Sequence, residues 1–237
     1  MLLLLTKNVA GLFFIFALFP YVSFGTNSMD SQPHYIVLAI LSFILFSLSG
    51  LVFRKALDLV VILMIILLTI FLTTTNFDFL LIRASASYVG FVITLIASII
   101  YFERFGIPVK TIVIANIIYI FAALIQWFYG GLVLDFLVIS NTTFDATMKV
   151  GATSLTPEHT MFGIVLYFFS WIHFVIYDYK PPKLVALLII INILSIFFLA
   201  KSSMVIVFLV VSAFVFFIRN IKQKVNLKLI DSKLNQA

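Results

Sequence analysis

Residues 111–129 read TIVIANIIYIFAALIQWFY, nineteen consecutive residues without a charged side chain. A helix of about 20 apolar residues is needed to cross the hydrocarbon core of a bilayer, and this segment has nearly that length. Similar runs recur along the chain, since 64% of its 237 residues are hydrophobic and only 10% are charged. Apolar residues cover these segments all round, which indicates lipid surroundings. We therefore predict an all-α, polytopic transmembrane helix bundle.

The sequence predicts eight spans with both termini on the cytoplasmic side. Cytoplasmic loops of membrane proteins are enriched in Lys and Arg, and this topology places twelve of the fifteen basic residues inside. Only Arg83, Lys149 and Lys201 lie outside. A short turn separates the last two spans, so one interrupted stretch is an alternative there. The spans cover approximately residues 9–25, 34–52, 57–75, 84–102, 111–129, 161–178, 184–200 and 203–218.

The predicted domain organisation is a transmembrane helical domain over 1–218 and a basic cytoplasmic tail over 219–237. One long outer loop covers about 130–160. The net charge of +6 follows from the basic cytoplasmic loops, so nucleic acid is not a predicted partner. No cysteine is present, which excludes disulfides and thiolate metal sites. No histidine pair has metal-ligand spacing and no phosphate-binding loop occurs, so neither a metal nor a nucleotide cofactor is predicted.

The outer loop ends in a polar stretch, residues 149–163, that reads KVGATSLTPEHTMFG. Thr156, Pro157 and Glu158 have the residue types of a helix start, with Thr156 as the cap and Glu158 in the first turn. The helix dipole alone favours an acid at this position, which is the structural explanation. The chemical alternative is that Glu158 accepts the proton of an acceptor hydroxyl, with His159 as a second proton carrier or merely a surface residue.

A negatively charged leaving group in such a reaction needs cations beside it, and the three outer basic residues, Arg83, Lys149 and Lys201, are the candidates. The amides of Asn116, Gln126 and Asn192 lie within or near spans, where hydrogen bonds between helices explain them better than a transport path does.

The run Lys149-x-Gly-x-x-Ser154-Leu155-Thr156-Pro157-Glu158, with Gln126-Trp127 before it and Ala200-Lys201-Ser202-Ser203 after it, resembles bacterial O-antigen polymerases of the Wzy type and the related O-antigen ligases. The resemblance covers the second half of the chain. Lys149 stands where that family often has Arg, and His159 replaces the second Pro of its Pro-Glu-Pro pattern. Members are generally longer, so a shortened relative, a truncated product and one component of an assembly are the alternatives for this chain.

The resemblance implies a polymerase of lipid-linked oligosaccharide repeat units in the bacterial inner membrane. Its substrate would be an oligosaccharide on undecaprenyl pyrophosphate, used at the outer face without metal, nucleotide or other cofactor. Glu158 would be catalytic, and Lys149, Lys201 and Ser202 would bind substrate. Arg83 is added as a substrate-binding residue from the distribution of basic residues, and His159 from its position beside Glu158. Membrane lipids and a chain-length regulator protein are further candidate partners. An O-antigen ligase, a polysaccharide transporter or flippase, and an inactive membrane fragment are the open alternatives.

Overall fold

The computed structural model describes residues 2–22, 34–51, 79–129 and 151–214, together with single positions between 61 and 68 and Leu137. Within these ranges every regular element is a helix and no strand occurs. The helices are α1 (Leu2–Leu18), α2 (His34–Leu48), α3 (Phe79–Phe105), α4 (Val109–Tyr129), α5 (His159–Ile176), α6 (Lys183–Ser195) and α7 (Ser203–Phe214). A five-residue π-helix, Ile196–Ala200, continues α6.

The predicted all-α class is confirmed, and three helices are long and apolar enough to cross a membrane. They are Val109–Tyr129, His159–Ile176 and Lys183–Ala200, the last combining α6 with the π-helix. Shorter apolar helices occur at Leu2–Leu18, Ile36–Leu48 and Ser203–Phe214. Large apolar side chains point outward along these helices, for example Leu184 at 82% and Phe198 at 67% exposure. Such surfaces are rare on soluble monomers and are expected for helices that face lipid.

One predicted helix boundary needs correction, and several predicted segments lie outside the residues that the structure describes. The first helix covers Leu2–Leu18 instead of 9–25. Pro20 accounts for its end, because a proline disfavours helical conformation in the residue before it. The predicted span 57–75 and most of the loop 130–160 lie outside the described residues, as does the tail 219–237.

The chain forms two compact units, Met1–Ala115 and Asn116–Ala237. In the first, the described parts of α1, α2 and α3 pack around aromatic rings such as Phe13 and Phe46, which are fully buried. Each of the three helices also buries an alanine completely, namely Ala10, Ala39 and Ala97. Small residues let helix backbones approach closely in membranes, where van der Waals contact is the main attraction.

In the second unit, polar side chains pair between helices. The Nδ2 atom of Asn116 on α4 lies 3.3 Å from Nε2 of His173 on α5. Asn192 on α6 donates from Nδ2 to the Ser170 hydroxyl of α5 at 3.2 Å. The interhelical role predicted for these two asparagines is therefore confirmed.

Two leucines of α2 provide a test of this packing. Leu45 is 9% exposed and Leu48 is 69% exposed. We expect Leu45→Ala to lower the free energy of unfolding by about 2 kcal/mol, because truncation of a packed side chain leaves a cavity. Leu48→Ala removes the same atoms from an outward position and should change it by less than about 0.5 kcal/mol. Thermal unfolding of both variants in detergent measures the difference, and equal losses would contradict the assigned packing of α2.

Candidate polar site at the amino end of helix α5

The segment before α5 is irregular in conformation and deeply buried. Residues 151–157 are all buried, although three of them, Thr153, Ser154 and Thr156, carry polar side chains. An irregular backbone cannot satisfy its own N–H and C=O groups, and each unsatisfied group costs several kcal/mol away from water. The segment therefore depends on partners from neighbouring helices.

Gln126 of α4 is the main partner of this segment. Its Oε1 atom accepts hydrogen bonds from the backbone N–H groups of Thr153 and Ser154, each at 2.8 Å. Its Nε2 atom donates to the Thr153 hydroxyl at 2.8 Å. The Gln126 side chain is only 2% exposed, so water does not compete for these bonds. One amide thus holds two consecutive residues of the irregular segment against α4.

Ser154 adds a second attachment to α4. Its hydroxyl donates to the backbone carbonyl of Tyr119 at 2.6 Å. Its backbone has a φ of 54°, in the left-handed region that costs a residue with a side chain roughly 1–3 kcal/mol. The hydrogen bonds of its hydroxyl and its N–H group offset that cost.

The Thr156 hydroxyl is used inside the turn that precedes α5. It lies 2.7 Å from the carbonyl oxygen of Thr153 and 2.8 Å from that of Glu158, and its single hydrogen serves one of them. The helix begins at His159, with Glu158 as the extended N-cap residue and no side-chain capping bond. The predicted cap at Thr156 is therefore wrong, because this hydroxyl bonds to carbonyl groups of the turn.

Gly151 lies against the end of the π-helix. The N–H group of the next residue, Ala152, donates to the carbonyl of Leu199 at 2.7 Å. A Cβ atom on Gly151 would lie 2.0 Å from the carbonyl oxygen of Ala200, a distance that no side chain tolerates. Close approach of two backbones, rather than turn formation, requires glycine here.

Gly163, one turn into α5, faces the same region. A Cβ atom there would lie 3.0 Å from Cγ2 of Val205 and 3.3 Å from Cβ of Ser202. The two glycines at the ends of the polar stretch therefore both contact the segment 199–205. The site therefore combines three separate stretches of sequence. Residues 151–163 contact the turn after the π-helix through these glycines, and they bond to Gln126 of α4 through Thr153 and Ser154.

That turn places Lys201 in a left-handed conformation, with φ of 50°, and its N–H group donates to the Ile196 carbonyl at 2.9 Å. The Lys201 ammonium lies 5.0 Å from the centroid of the Trp127 ring, within the range of a cation–π interaction. Trp127 directly follows Gln126 on α4. The charge of Lys201 is thus held over an aromatic face next to the residue that anchors the irregular segment.

The predicted site residues in this unit differ in their exposure and in their hydrogen bonds. Glu158 is exposed at the amino end of α5 and forms no ion pair with a cation in the described part of the chain. His159 is partly buried, and its Nδ1 atom has no hydrogen-bond partner among the described residues. Lys201 is exposed. Ser202 is 2% exposed, and its hydroxyl accepts a bond of 3.4 Å from the N–H group of Val205 in the first turn of α7.

Two predicted residues lie outside the side chains that the structure describes. Arg83 belongs to α3, in the first unit, and its side chain is not among those described. Lys149 lies outside the described residues. In the described ranges, no three His, Cys, Asp or Glu side chains are grouped as a metal site would require.

Sequence reasoning missed the role of Gln126 in holding the irregular segment. It assigned this amide to pairing between helices, because an isolated amide in an apolar run ordinarily bonds to a neighbouring helix. The signal was its position three residues before the predicted end of the span at 129, next to the outer loop. Ser202 accepts a bond in the first turn of α7, and its role in substrate binding stays a prediction.

Substitution of Gly151 tests the contact between the two backbones. We expect Gly151→Ala to lower the thermal unfolding midpoint by about 8 °C or more, because the new Cβ atom overlaps the Ala200 carbonyl and forces the two segments apart. Gly11→Ala in α1 is the matched control, since its new Cβ atom meets nothing closer than 4.0 Å. A Gly151→Ala variant as stable as the Gly11→Ala variant would show that 151 and 200 are not in contact.

Substitution of Gln126 tests the anchoring of the irregular segment. Gln126→Met keeps the side-chain length but leaves the N–H groups of Thr153 and Ser154 without their acceptor, at about 1–3 kcal/mol each. Amide hydrogen exchange in the peptide covering 151–158 should rise markedly. Thr153→Val removes only the bond to the hydroxyl, so exchange should rise much less. Equal exchange in the wild type and Gln126→Met would contradict this anchoring.

Comparison with known proteins adds no identification. No protein-family model matches the chain, and neither a curated protein nor a solved structure is similar to it. The resemblance to O-antigen polymerases therefore rests on the short motif, and function has to be argued from the site itself.

Proposed function

We propose that this chain polymerises lipid-linked oligosaccharide repeat units of an O-antigen, a capsule or an exopolysaccharide at the outer face of the bacterial inner membrane. The proposal includes eight spans with both termini in the cytoplasm. One observation carries it: an exposed carboxylate, Glu158, begins a helix whose preceding segment packs against the turn that presents an exposed cation, Lys201. Both residues belong to the stretches on which the resemblance rests.

The proposed reaction transfers the growing glycan from undecaprenyl pyrophosphate to a hydroxyl of the next lipid-linked repeat unit. The glycan C1–O bond to pyrophosphate breaks while a new C1–O bond to the acceptor oxygen forms. Glu158 takes the proton of that hydroxyl, and the pyrophosphate leaves with the electron pair of the broken bond. Lys201, joined by Lys149 and Arg83 in the proposal, stabilises the negative charge of the leaving group.

The surroundings of the two charged residues suit this chemistry. Glu158 has no capping bond and no described cation as an ion-pair partner, so its oxygens are available to an acceptor. The Trp127 ring positions the Lys201 ammonium without neutralising it, since an aromatic face carries no net charge. The positive end of the α5 dipole adds attraction for a phosphate group.

An apolar cavity in the same unit offers space for the hydrocarbon of a lipid substrate. Its volume is about 430 Å³, and Tyr167, Phe174, Phe197 and Ile206 contribute to its walls. Phe197 and Ile206 lie four and five residues from Lys201 along the chain, which is roughly one helical turn. We propose that this cavity receives part of the hydrocarbon of the lipid substrate, and its walls extend to Tyr179, beyond the carboxyl end of α5.

An O-antigen ligase would use the same donor and differ only in the acceptor, so the site described here fits it equally. A transporter or flippase is the rival of another class, because the buried amide and imidazole groups of Asn116, His173 and Asn192 lie within the long apolar helices. Polar residues inside spans are frequent along transport paths. In an inactive fragment, neither set of residues would affect the glycan.

Complementation of a deletion strain tests the catalytic assignment. We expect wild-type protein to restore a ladder of glycan repeat lengths on a gel, and Glu158→Gln or Lys201→Met to lose it, with polymer reduced at least about 100-fold. Glu103→Gln and Lys180→Met are the matched controls, because both side chains are exposed and lie outside the polar site. Immunoblots of membranes confirm that all variants accumulate.

The remaining outcomes separate the alternatives. A ladder retained by Glu158→Gln would contradict the polymerase assignment. Loss of glycan attached to the lipid A core, with repeat lengths unchanged on the lipid carrier, would assign ligase activity. Repeat units trapped on the cytoplasmic side would assign transport.

A further inference from the structure

The apolar cavity of the second unit lies near Lys201 along two of its three walls. On the π-helix, the wall residue nearest to Lys201 in the chain is Phe197, four residues before it. On α7, the nearest wall residue is Ile206, five residues after Lys201. A turn of α-helix contains about 3.6 residues. On both walls the cavity therefore begins about one turn from Lys201.

Contacts of Gly163 place the third wall, α5, at the same level. A Cβ atom on Gly163 would lie 3.3 Å from Cβ of Ser202 and 3.5 Å from Cβ of Ala200, and these two residues flank Lys201 in the chain. The first wall residue of α5 is Tyr167, four residues or about 6 Å farther along the helix. On all three walls, the cavity thus begins about one turn from the level of Lys201.

Glu158 lies on the opposite side of this level. It directly precedes α5, so that Gly163 follows it by about 8 Å and Tyr167 by about 14 Å along the helix axis. Along α5 the order is therefore Glu158, then the level of Lys201, then the cavity. A lipid whose chain fills the cavity would present its head group at Lys201, and the group bonded to that head group would extend toward Glu158.

The walls of the cavity suit hydrocarbon and offer nothing for a charged head group. Among the described residues that line it, none carries a charge. The Ser170 hydroxyl donates to the Leu166 carbonyl at 2.9 Å, and the hydroxyl groups of Tyr167 and Ser212 bond to each other at 2.6 Å. Apolar cavities stay dry and take up apolar molecules. The occupant that these walls fit is a hydrocarbon chain whose head group lies outside them.

The proposed reaction uses two lipid-linked molecules, and their chemistry distinguishes which chain fits this arrangement. In the donor, the reacting carbon C1 is bonded directly to the pyrophosphate that leaves. In the acceptor, the sugar rings of the repeat unit separate the reacting hydroxyl from the pyrophosphate. Only the donor therefore has its reacting atom beside its pyrophosphate, as the order of cavity, Lys201 and Glu158 requires.

We propose that the cavity holds the polyprenyl chain of the donor, the molecule whose pyrophosphate leaves, and that the acceptor lipid binds elsewhere. The assignment rests on the proposed function, and it applies equally to a polymerase and a ligase because both use this donor. It implies that the spent carrier, undecaprenyl pyrophosphate, remains a ligand of the same site after transfer, held by Lys201 and by the cavity walls.

The two tryptophans of the chain report on the two parts of this site. Trp127 lies 5.0 Å from the Lys201 ammonium, and Trp171 lines the cavity. The variants Trp127→Phe and Trp171→Phe each keep one of them. In phosphatidylcholine nanodiscs, titration with undecaprenyl pyrophosphate should change the tryptophan emission of both variants, with Kd values that agree within about threefold.

Filling the cavity tests the position of the chain. We expect Ala213→Phe, in the cavity wall, to raise the Kd at least about tenfold. Val211→Phe is the matched control on the same helix, because its side chain is 54% exposed and is not among the described wall residues. Equal Kd values in these two variants, or a response of Trp127 alone, would overturn the proposal. An equal response to phosphatidylglycerol would also overturn it, since the cavity would then accept the chain of any anionic lipid.

Glu158→Gln separates the donor site from the proposed reaction. Glu158 binds no part of the carrier in this proposal, so Glu158→Gln should bind undecaprenyl pyrophosphate with the wild-type Kd although it loses the glycan ladder. A ladder retained by Glu158→Gln, with carrier binding intact, would contradict the catalytic role and support the donor site. A ladder lost by Glu158→Gln, without saturable carrier binding to the wild type, would contradict the donor site and support the catalytic role.

Discussion

The hydrogen bonding of an irregular backbone in apolar surroundings is the constraint on which the second unit depends. Residues 151–157 are buried without being helical, and in such a position each N–H group needs a partner. Within the segment one such bond forms, from the Thr156 N–H group to the Thr153 carbonyl at 3.1 Å, and the other attachments come from neighbouring elements. Gln126 meets this need with one oxygen that accepts from two consecutive N–H groups. Ser154 and Ala152 add bonds to the carbonyls of Tyr119 and Leu199. The irregular segment is therefore fastened on two sides, to α4 and to the π-helix.

These attachments fix the backbone beside two charged residues, Glu158 and Lys201, which do not bond to each other. Glu158 stands directly after the fastened segment, and Lys201 directly after the π-helix to which that segment bonds. The two side chains are exposed, while the backbone beneath each is held by bonds of buried atoms. In the proposed reaction, the absence of an ion pair between the two side chains leaves both charges available to the substrate.

The sequence predicted the helices, which depend on composition. It did not predict which side chains and backbone groups form hydrogen bonds with each other. Long apolar runs require helices in lipid, so the all-α class and the positions of α4, α5 and α6 followed from residues 111–129, 161–178 and 184–200. The number of spans remains part of the proposal, since length and composition support three helices as spans. The start of α5 was misplaced because Thr156-Pro157 has the local signature of a cap, and only the structure shows where its hydroxyl bonds.

The residues of the candidate site likewise divide into those predicted from local sequence and those whose contacts only the structure shows. Glu158 and Lys201 were predicted from charge and motif, and both are exposed, while their roles stay predictions. Gln126 was not singled out for this segment, because an amide in an apolar run has many partners within reach and the chosen one depends on how the loop folds back. The sequence did not show why glycine is needed at two positions of the polar stretch. Gly151 and Gly163 are required by contacts with residues 200–205, almost fifty residues away for Gly151, and no local pattern contains that information.

Buried hydrogen bonds hold helix α5 at its amino end and again in its carboxyl half. Its amino end is fixed through the segment that Gln126 binds, and its carboxyl half is fixed through His173 and Ser170, which bond to Asn116 and Asn192. In lipid, where apolar contacts give little net attraction between helices, such polar bonds weigh more in fixing how a helix is rotated and how deeply it lies. A helix bonded near both ends cannot rotate or slide without breaking buried hydrogen bonds. The position of Glu158 is therefore determined by side chains deep within the unit as well as by its immediate neighbours.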